Sequence, residues 1–308
     1  MTPRLDSGDR GIAALYAAAL ERAGSLYSAT PDAVLARGVL QLEQASRDAG
    51  RHLKVAAQDL WPADAMTVRD AEACARQARE PISTGGLEMR DAMVVRPSAV
   101  LDNWLAGVER RTATVTGFER IGSRWRLTDA SGATILDADV VVLTGGWGNA
   151  ALRPQLPLSP VAGQADVADS VISAPLAWGG YAAPTGTGLL FGATHDRGVT
   201  DPSPSAEASA RNLAALAARL PELAGRVEAS GPTRARTAVR ATTPDRLPVA
   251  GELEPGLHVL GGLGSRGFCV APLLAEHVVA QALQAPSPLA RDLAGRVAPS
   301  RFSRAEGL

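Results

Sequence analysis

The chain has 308 residues, 46% of them hydrophobic and 20% charged, and 31 Lys and Arg against 32 Asp and Glu leave a formal net charge of −1. That is an ordinary soluble balance, with material for one large domain or two interleaved ones, and it excludes a global basic field of the kind that draws nucleic acid. Cys74 and Cys269 lie far apart, and His52, His195, His258 and His277 show no ligand spacing, so neither a disulfide framework nor a structural metal site is expected. No run of about 18 apolar residues and no signal-peptide core occurs, which leads to the expectation of a soluble, cytoplasmic protein.

In chain order, residues 9–28 place Ile12, Leu15, Tyr16, Ala19, Leu20 and Ala23 at helical spacing, with Asp9 or Ser7 as the cap. Residues 38–42 read as a short strand and 46–60 as a helix. The alanine-rich stretch 67–80 predicts a helix capped by Thr67 and ended by Pro81. Strand and turn are expected over 85–95, and a helix over 98–107. Segments 112–119, 124–128 and 133–136 read as a meander turning at Asp129-Ala-Ser-Gly132. DVVVL at 139–143 is a continuous β-branched run, which predicts a strand buried on both faces, parallel or central in its sheet. It ends in Thr144-Gly145-Gly146. The following Gly146-Trp-Gly148-Asn-Ala-Ala151 imitates a dinucleotide-binding turn, but Pro154 stops any helix there. A proline-rich crossing over 154–160 leads to strands near 163–167, 177–182 and 188–193, then a helix over 205–219. An arginine-rich strand at 233–240 precedes a loop at 242–248.

The C-terminal stretch GLHVLGGLGSRGFCVAPLLAEHVVAQALQ reads as a short buried strand at 257–260, a turn through Gly261, Gly262, Gly264 and Gly267, and a helix over 270–283. Such a succession brings backbone N–H groups and a positive dipole end close to a ligand, because glycine has no Cβ to hold it off. The plainer alternative is a strand–helix connection without a ligand. Gly262-Leu-Gly264-Ser-Arg-Gly267 spells GxGxxG, but a Rossmann fingerprint requires a following strand ending in an acidic residue, and a proline-containing tail follows instead. Arg234, Arg236, Arg240 and Arg246 form a local basic cluster, for which a solvated strand face is the plainer account.

Several of these segments, in order, resemble the D-amino-acid-oxidase type of FAD-dependent amine oxidoreductases. They are DVVVLTGGWGNAAL, LPLSPVAGQ, GGYAAPTGTGLLFGATHD, RTAVRATTPDRLPVAGE and LGGLGSRGFCVAPLLAE. The last two, with the tail PLARDLAGRVAPSRF, are similar to the oxidoreductase half of the bacterial bifunctional tRNA 5-methylaminomethyl-2-thiouridine biosynthesis proteins, and Gly264-Ser-Arg-Gly267 is the main discriminator. The glycine-oxidase branch is the next nearest. The resemblance implies an α/β (α+β) chain in which a Rossmann-like FAD-binding domain (1–50, 97–160 and 232–308) interleaves with an antiparallel-sheet substrate domain (51–96 and 161–231). Members of the family open with a strand–GxGxxG–helix unit, whereas this sequence resembles a family position just after it. The expectation is therefore an FAD-binding domain without its N-terminal βαβ unit, and weak FAD binding by this chain alone.

The resemblance also implies roles. Thr144, Gly145 and Gly146 approach the nucleotide half of FAD. Gly262, Leu263, Gly264, Ser265 and Gly267 face the pyrimidine edge of the flavin, where negative charge gathers on reduction and a helix N-terminus stabilises it. Arg240 and Arg266 match positions that hold a substrate carboxylate, a task for which the guanidinium fork is fitted; surface arginines are the plainer reading. Tyr181 lines the substrate side or is simply an amphipathic strand residue, and Gln164 is structural. No protein acid or base is required when the flavin carries the oxidation. The implied activity is oxidative removal of the carboxymethyl arm of carboxymethylaminomethyl-(2-thio)uridine in tRNA, releasing glyoxylate, with a methyltransferase acting on the next step as a further partner. A glycine or D-amino-acid oxidase and a non-catalytic remnant stand as alternatives.

Overall fold

Asp9 accepts a hydrogen bond from the Ile12 amide at 3.0 Å and so starts α1, Arg10–Ala29, by satisfying one of the amides that helix geometry leaves without a partner. The structure is a computed structural model describing residues 1–303. α1 buries Leu15, Tyr16, Ala19, Leu20 and Ala23 along one face. There follow β1 (Val34–Leu42), α2 (Arg47–Ala56), β2 (Met66–Arg69), α3 (Ala71–Ala78), β3 (Gly86–Val95) and α4 (Pro97–Trp104). The expectation of one helix over 67–80 capped by Thr67 is corrected here. Thr67 pairs with Glu88 inside the antiparallel β2–β3 ladder, and Asp70 is the cap, accepting from the Ala73 amide at 2.8 Å. Two residues with capping chemistry stand three apart, and the strand partner decides between them.

The chain continues through β4 (Gly117–Ile121), β5 (Arg124–Thr128), β6 (Thr134–Ala138), β7 (Val141–Leu143) and α5 (Asn149–Leu152). Next are β8 (Ser159–Ala168), β9 (Leu176–Ala177), β10 (Tyr181–Pro184), β11 (Leu189–Gly192) and β12 (Asp196–Arg197). Then come α6 (Ala206–Ala217), α7 (Pro221–Ala229), β13 (Arg234–Thr242), β14 (Val249–Glu254) and β15 (Leu257–Gly261). The described chain closes with α8 (Gly267–Ala282), α9 (Arg291–Val297) and α10 (Ser300–Ser303). Two of these elements, α7 and β14, lie where the sequence reading names none, the first beyond the helix that precedes Pro221 and the second after the 242–248 loop. Pro221 instead occupies the first turn of α7, where its missing N–H is not needed.

Two compact units result, unit 1 from Met1–Trp104 and Val161–Val239, and unit 2 from Leu105–Pro160 and Arg240–Leu308. Unit 1 is built on a nine-stranded sheet in the order β12-β8-β11-β10-β9-β1-β3-β2, with β13 also pairing β8. β1 runs parallel to β9, while the β1–β3, β2–β3, β9–β10, β10–β11, β11–β8 and β8–β12 pairs are antiparallel. Leu216, Leu220, Leu223 and Val227 from the α6–α7 region pack on Leu40, Leu176, Leu189 and Phe191 of the sheet. Gln164 on β8 fastens α6 to this sheet: its Oε1 accepts the Ser205 amide at 2.8 Å and its Nε2 donates to Ser209 Oγ at 2.7 Å. Asp166, two residues on and fully buried, accepts from Ser209 Oγ at 2.6 Å and Asn212 Nδ2 at 2.7 Å. These donors replace the water the carboxylate gives up on burial.

Unit 2 holds a three-stranded sheet, β14-β15-β7, and the antiparallel meander β4-β5-β6. Trp125, Leu143, Leu156, Val249, Leu257 and Val259 form its core. DVVVL yields a correction. Only three of its residues form β7, which is an edge strand among the described residues, and Val140 and Val142 are 40% and 38% exposed. A β-branched run reports strand propensity reliably, but burial of both faces depends on neighbours that the run itself does not supply.

Both cysteines are free and buried; burial pushes the Cys74 thiol up to about 11 and that of Cys269 up to about 12, so neither is a thiolate at neutral pH. His52, His258 and His277 are buried as well, and desolvation lowers the pKa of each. A histidine held neutral in the folded state takes up a proton only on unfolding, so its contribution to stability is complete above the ordinary imidazole value of about 6.5 and is lost as pH falls below it. The melting temperature is therefore expected to fall between pH 7 and pH 5, before most carboxylates titrate. Thermal melts across that window that stay flat would overturn this.

Candidate functional site

In unit 2, β7 and β15 run parallel in register, Val141 opposite Leu257 and Leu143 opposite Val259. Their carboxyl ends therefore emerge side by side, and each breaks into a glycine turn. In parallel α/β sheets the region outside the carboxyl ends is where ligands bind. The turn after β7 exposes Thr144, Gly145 and Gly146, and Gly146 has φ +59 with nothing within 4 Å of the place a Cβ would take. Asn149, fully buried at the start of α5, holds this turn from beneath. Its Oδ1 accepts the Gly145 amide at 3.0 Å and its Nδ2 donates to the Leu143 carbonyl at 3.3 Å. A Cβ on Gly261 of β15 would stand 3.3 Å from the same Nδ2. One side chain thus fixes the turn after β7, close against the end of β15.

The second turn, Gly262 to Gly267, is shaped by its glycines. Gly262 takes φ +61, and a Cβ there would meet Thr243 Cγ2 at 2.8 Å; Gly264 takes φ +54 and donates its amide to the Ala241 carbonyl at 3.0 Å. Ser265 is exposed, and Arg266 caps α8 through its backbone alone, its carbonyl accepting from Cys269 at 2.9 Å and Val270 at 3.1 Å. The first turn of α8 directs its amides and the positive end of its dipole at the same region. The Gly264–Ala241 bond also joins the two arginine-bearing segments, since Arg240 precedes Ala241 and Arg266 follows Gly264 by two residues. Tyr181 lies in unit 1, as the first residue of β10, paired with Ala177 and Gly192 and half-buried.

Beneath Gly262 stands a buttress that the sequence reading passed over. Thr243 is buried and donates to the Leu247 carbonyl at 2.6 Å and to Asp245 Oδ1 at 3.0 Å. Arg301, from the C-terminal tail, donates from Nε to Asp245 Oδ2 at 2.8 Å and from Nη2 to the Leu247 carbonyl at 3.1 Å. Burial pushes the Asp245 carboxyl up, but Arg301, the Leu247 amide and the Thr243 hydroxyl together hold it below its ordinary value. The 242–248 loop is thereby rigid where it meets the turn. The local signals for these residues were weak: Asn149 is a short side chain four residues past Gly145, and Arg301 is one arginine among many.

The two turns suit the polar edge of a planar cofactor, because they offer backbone without Cβ atoms, open space at Gly146 and a helix N-terminus at α8. Among the described residues no group of three or more His, Cys, Asp or Glu is placed to hold a metal ion, and no helix is long and apolar enough to cross a membrane. Of the basic cluster, Arg234, Arg236 and Arg246 are exposed, while Arg240 is half-buried.

A mixed α/β chain that has a parallel strand pair ending in glycine turns in one unit and a broad, largely antiparallel sheet in the other has the elements of flavin-dependent amine oxidoreductases. The chain belongs to the FAD dependent oxidoreductase family (DAO), which it matches over residues 2–281. It is 48% identical to the tRNA 5-methylaminomethyl-2-thiouridine biosynthesis bifunctional protein MnmC of Caulobacter sp. (strain K31), over 98% of this chain and 51% of that protein. With the protein of the same name from Caulobacter vibrioides it shares 50% identity over 98% of this chain and 50% of that protein. The chain thus spans about half the length of the curated relatives it matches. Among solved structures, glycine oxidase from Geobacillus kaustophilus superposes with a TM-score of 0.77 at 19% identity, covering 92% of this chain and 82% of that one. L-proline dehydrogenase from P. horikoshii gives 0.78 at 15% identity, covering 98% and 87%. These two share the fold.

Proposed function

We propose that the chain is an FAD-dependent oxidoreductase of tRNA wobble-uridine modification that removes the carboxymethyl arm of carboxymethylaminomethyl-(2-thio)uridine. The observation that carries this reading is 48–50% identity, across 98% of the chain, to proteins named for tRNA 5-methylaminomethyl-2-thiouridine biosynthesis. The arm is an N-substituted glycine. Bound FAD supplies the two-electron acceptor for oxidation of its C–N bond. Water then adds across the oxidised bond, its oxygen leaves in the aldehyde of glyoxylate, and the nitrogen stays on the nucleoside as an aminomethyl group. The chain's own part is to bind and to orient. The backbone of Gly262, Leu263, Gly264, Ser265 and Gly267 receives one edge of the cofactor, and Thr144, Gly145 and Gly146 receive its nucleotide half. Arg240 and Arg266 hold the carboxylate of the arm, which fixes the adjacent carbon, and Tyr181 lines the substrate side. The partners in this reading are tRNA as substrate and a methyltransferase that takes the aminomethyl product.

The test follows reduction of the flavin-loaded protein under anaerobic conditions with modified tRNA, glycine, sarcosine or D-alanine. The expected result is reduction by the tRNA, glyoxylate in step with it, and aminomethyluridine among the nucleosides after digestion. Efficient reduction by a free amino acid with the wobble nucleoside unchanged would transfer the case to an amino-acid oxidase.

A further inference from the structure

Unit 1 carries a second concavity that the flavin chemistry does not use. It measures about 580 Å³ and lies between the segment after β8 and the β10–β11 hairpin turn. Its walls differ in character. Ile172 and Pro184 contribute apolar surface, and Val171, 77% exposed, adds an apolar side chain that solvent and a ligand can reach. Thr185, Thr187 and Arg226 are the polar part of the same lining. The turn is drawn in tightly: a Cβ on Gly188, at φ +159, would come within 2.3 Å of the Ala168 carbonyl oxygen. At Gly186 the Nη2 of Arg96 stands 3.4 Å from the corresponding Cβ position, so a second guanidinium reaches the turn from the end of β3. Arg226 is ion-paired with Glu80, and Asp169 on the rim has Arg234 at 3.9 Å, which leaves Arg96 as the cation set against the turn.

Apolar side chains together with hydroxyl, amide and guanidinium donors match the two halves of a nucleotide, a base with a π-face and a phosphate. The cleft shares its hairpin with Tyr181. Thr185 lies four steps along the chain from Tyr181, which at the rise of an extended strand is roughly 13 Å. A free amino acid cannot span that distance, whereas a polynucleotide with its modified base near Tyr181 can. We propose that this cleft seats one nucleotide of the RNA strand flanking the modified base, with the base against Val171, Ile172 and Pro184 and the phosphate against Arg96 and the Thr185–Gly188 turn. This deepens the tRNA reading and rests on it.

The test measures binding of a fluorescein-labelled anticodon stem–loop to the full chain by fluorescence anisotropy over a range of salt. The variants are Arg96→Glu, Val171→Asp and, as a control of equal charge change, Arg197→Glu. Arg197 lies on β12, which pairs with β8 at Val161 and Ala162, the opposite end of that strand from the cleft. Arg96→Glu is expected to weaken binding about tenfold and to flatten the salt dependence by about one counterion, as loss of one phosphate contact does. Val171→Asp should weaken it several-fold, and Arg197→Glu should leave it within about twofold. Equal binding by the parent and all variants would overturn the cleft while leaving the tRNA reading intact. Equal loss in all three variants would reduce the effect to net charge and also overturn it. A parent chain that does not bind the stem–loop at low salt would sink both readings.

Discussion

Arg266→Ala in the flavin-loaded protein is expected to lower kcat/KM for the carboxymethylaminomethyl substrate by about 10- to 100-fold while bound flavin keeps its absorbance. The magnitude follows from the loss of a charge-assisted contact of about 1.5–3 kcal/mol. Arg240→Ala should behave alike. The loss should appear mainly at limiting substrate, because in the proposed reading the guanidinium captures the carboxylate and does not carry the oxidation. Arg266→Lys should recover only part of it, since a point charge cannot reproduce the fork. The helix is not at risk in these variants: Arg266 caps α8 with its backbone and makes no side-chain cap bond. Parental rates of flavin reduction at limiting substrate in both alanine variants would show that the carboxylate lies elsewhere.

Asn149→Leu is expected to be the most damaging single change in unit 2. It removes the acceptor of the Gly145 amide and the donor to the Leu143 carbonyl in a fully buried position. Two backbone groups left unsatisfied, each at about 1–3 kcal/mol, give a loss of about 2–4 kcal/mol after partial relaxation. Asn149→Asp keeps the shape but turns an oxygen towards the Leu143 carbonyl, so it should not rescue. Urea denaturation measures this directly. A change below about 0.5 kcal/mol, the level of an ordinary surface substitution, would mean that Asn149 does not hold the turn after β7.

Much of the architecture was legible where the signal is local. The spacing from Ile12 to Ala23 with Asp9 ahead of it marks α1 because a helix buries one face and needs one cap. The turn from β15 into α8 was legible because its glycines leave few alternatives. Where the outcome depends on a distant partner, the local signal divides or fails. Thr67 reads as a cap until β3 is known to lie beside it. The run up to Leu143 reads as doubly buried because nothing in its four β-branched or apolar letters records that the strand lies at an edge. β14 has no assignment in the sequence reading, because Gly251, at φ +136, breaks the pattern of a strand that is fixed by its ladder to β15. At the candidate site the glycine turns and the two arginines stood out singly. That Gly264 ties their segments together through Ala241, and that Asn149 and Thr243 support the turns, are facts of contact between separated parts of the chain.

The contact of Arg301 with Asp245 reaches the turn at Gly262 in three steps, through Thr243, across 56 residues of sequence. These positions therefore form one heritable unit. A lineage that replaces Asp245 with a neutral residue leaves the Arg301 guanidinium without its carboxylate, and drift at either position is constrained by the other. Positions 243, 245, 262 and 301 should change together or not at all across descendants of this fold. Selection on the Gly262 turn is thereby felt as far away as the tail.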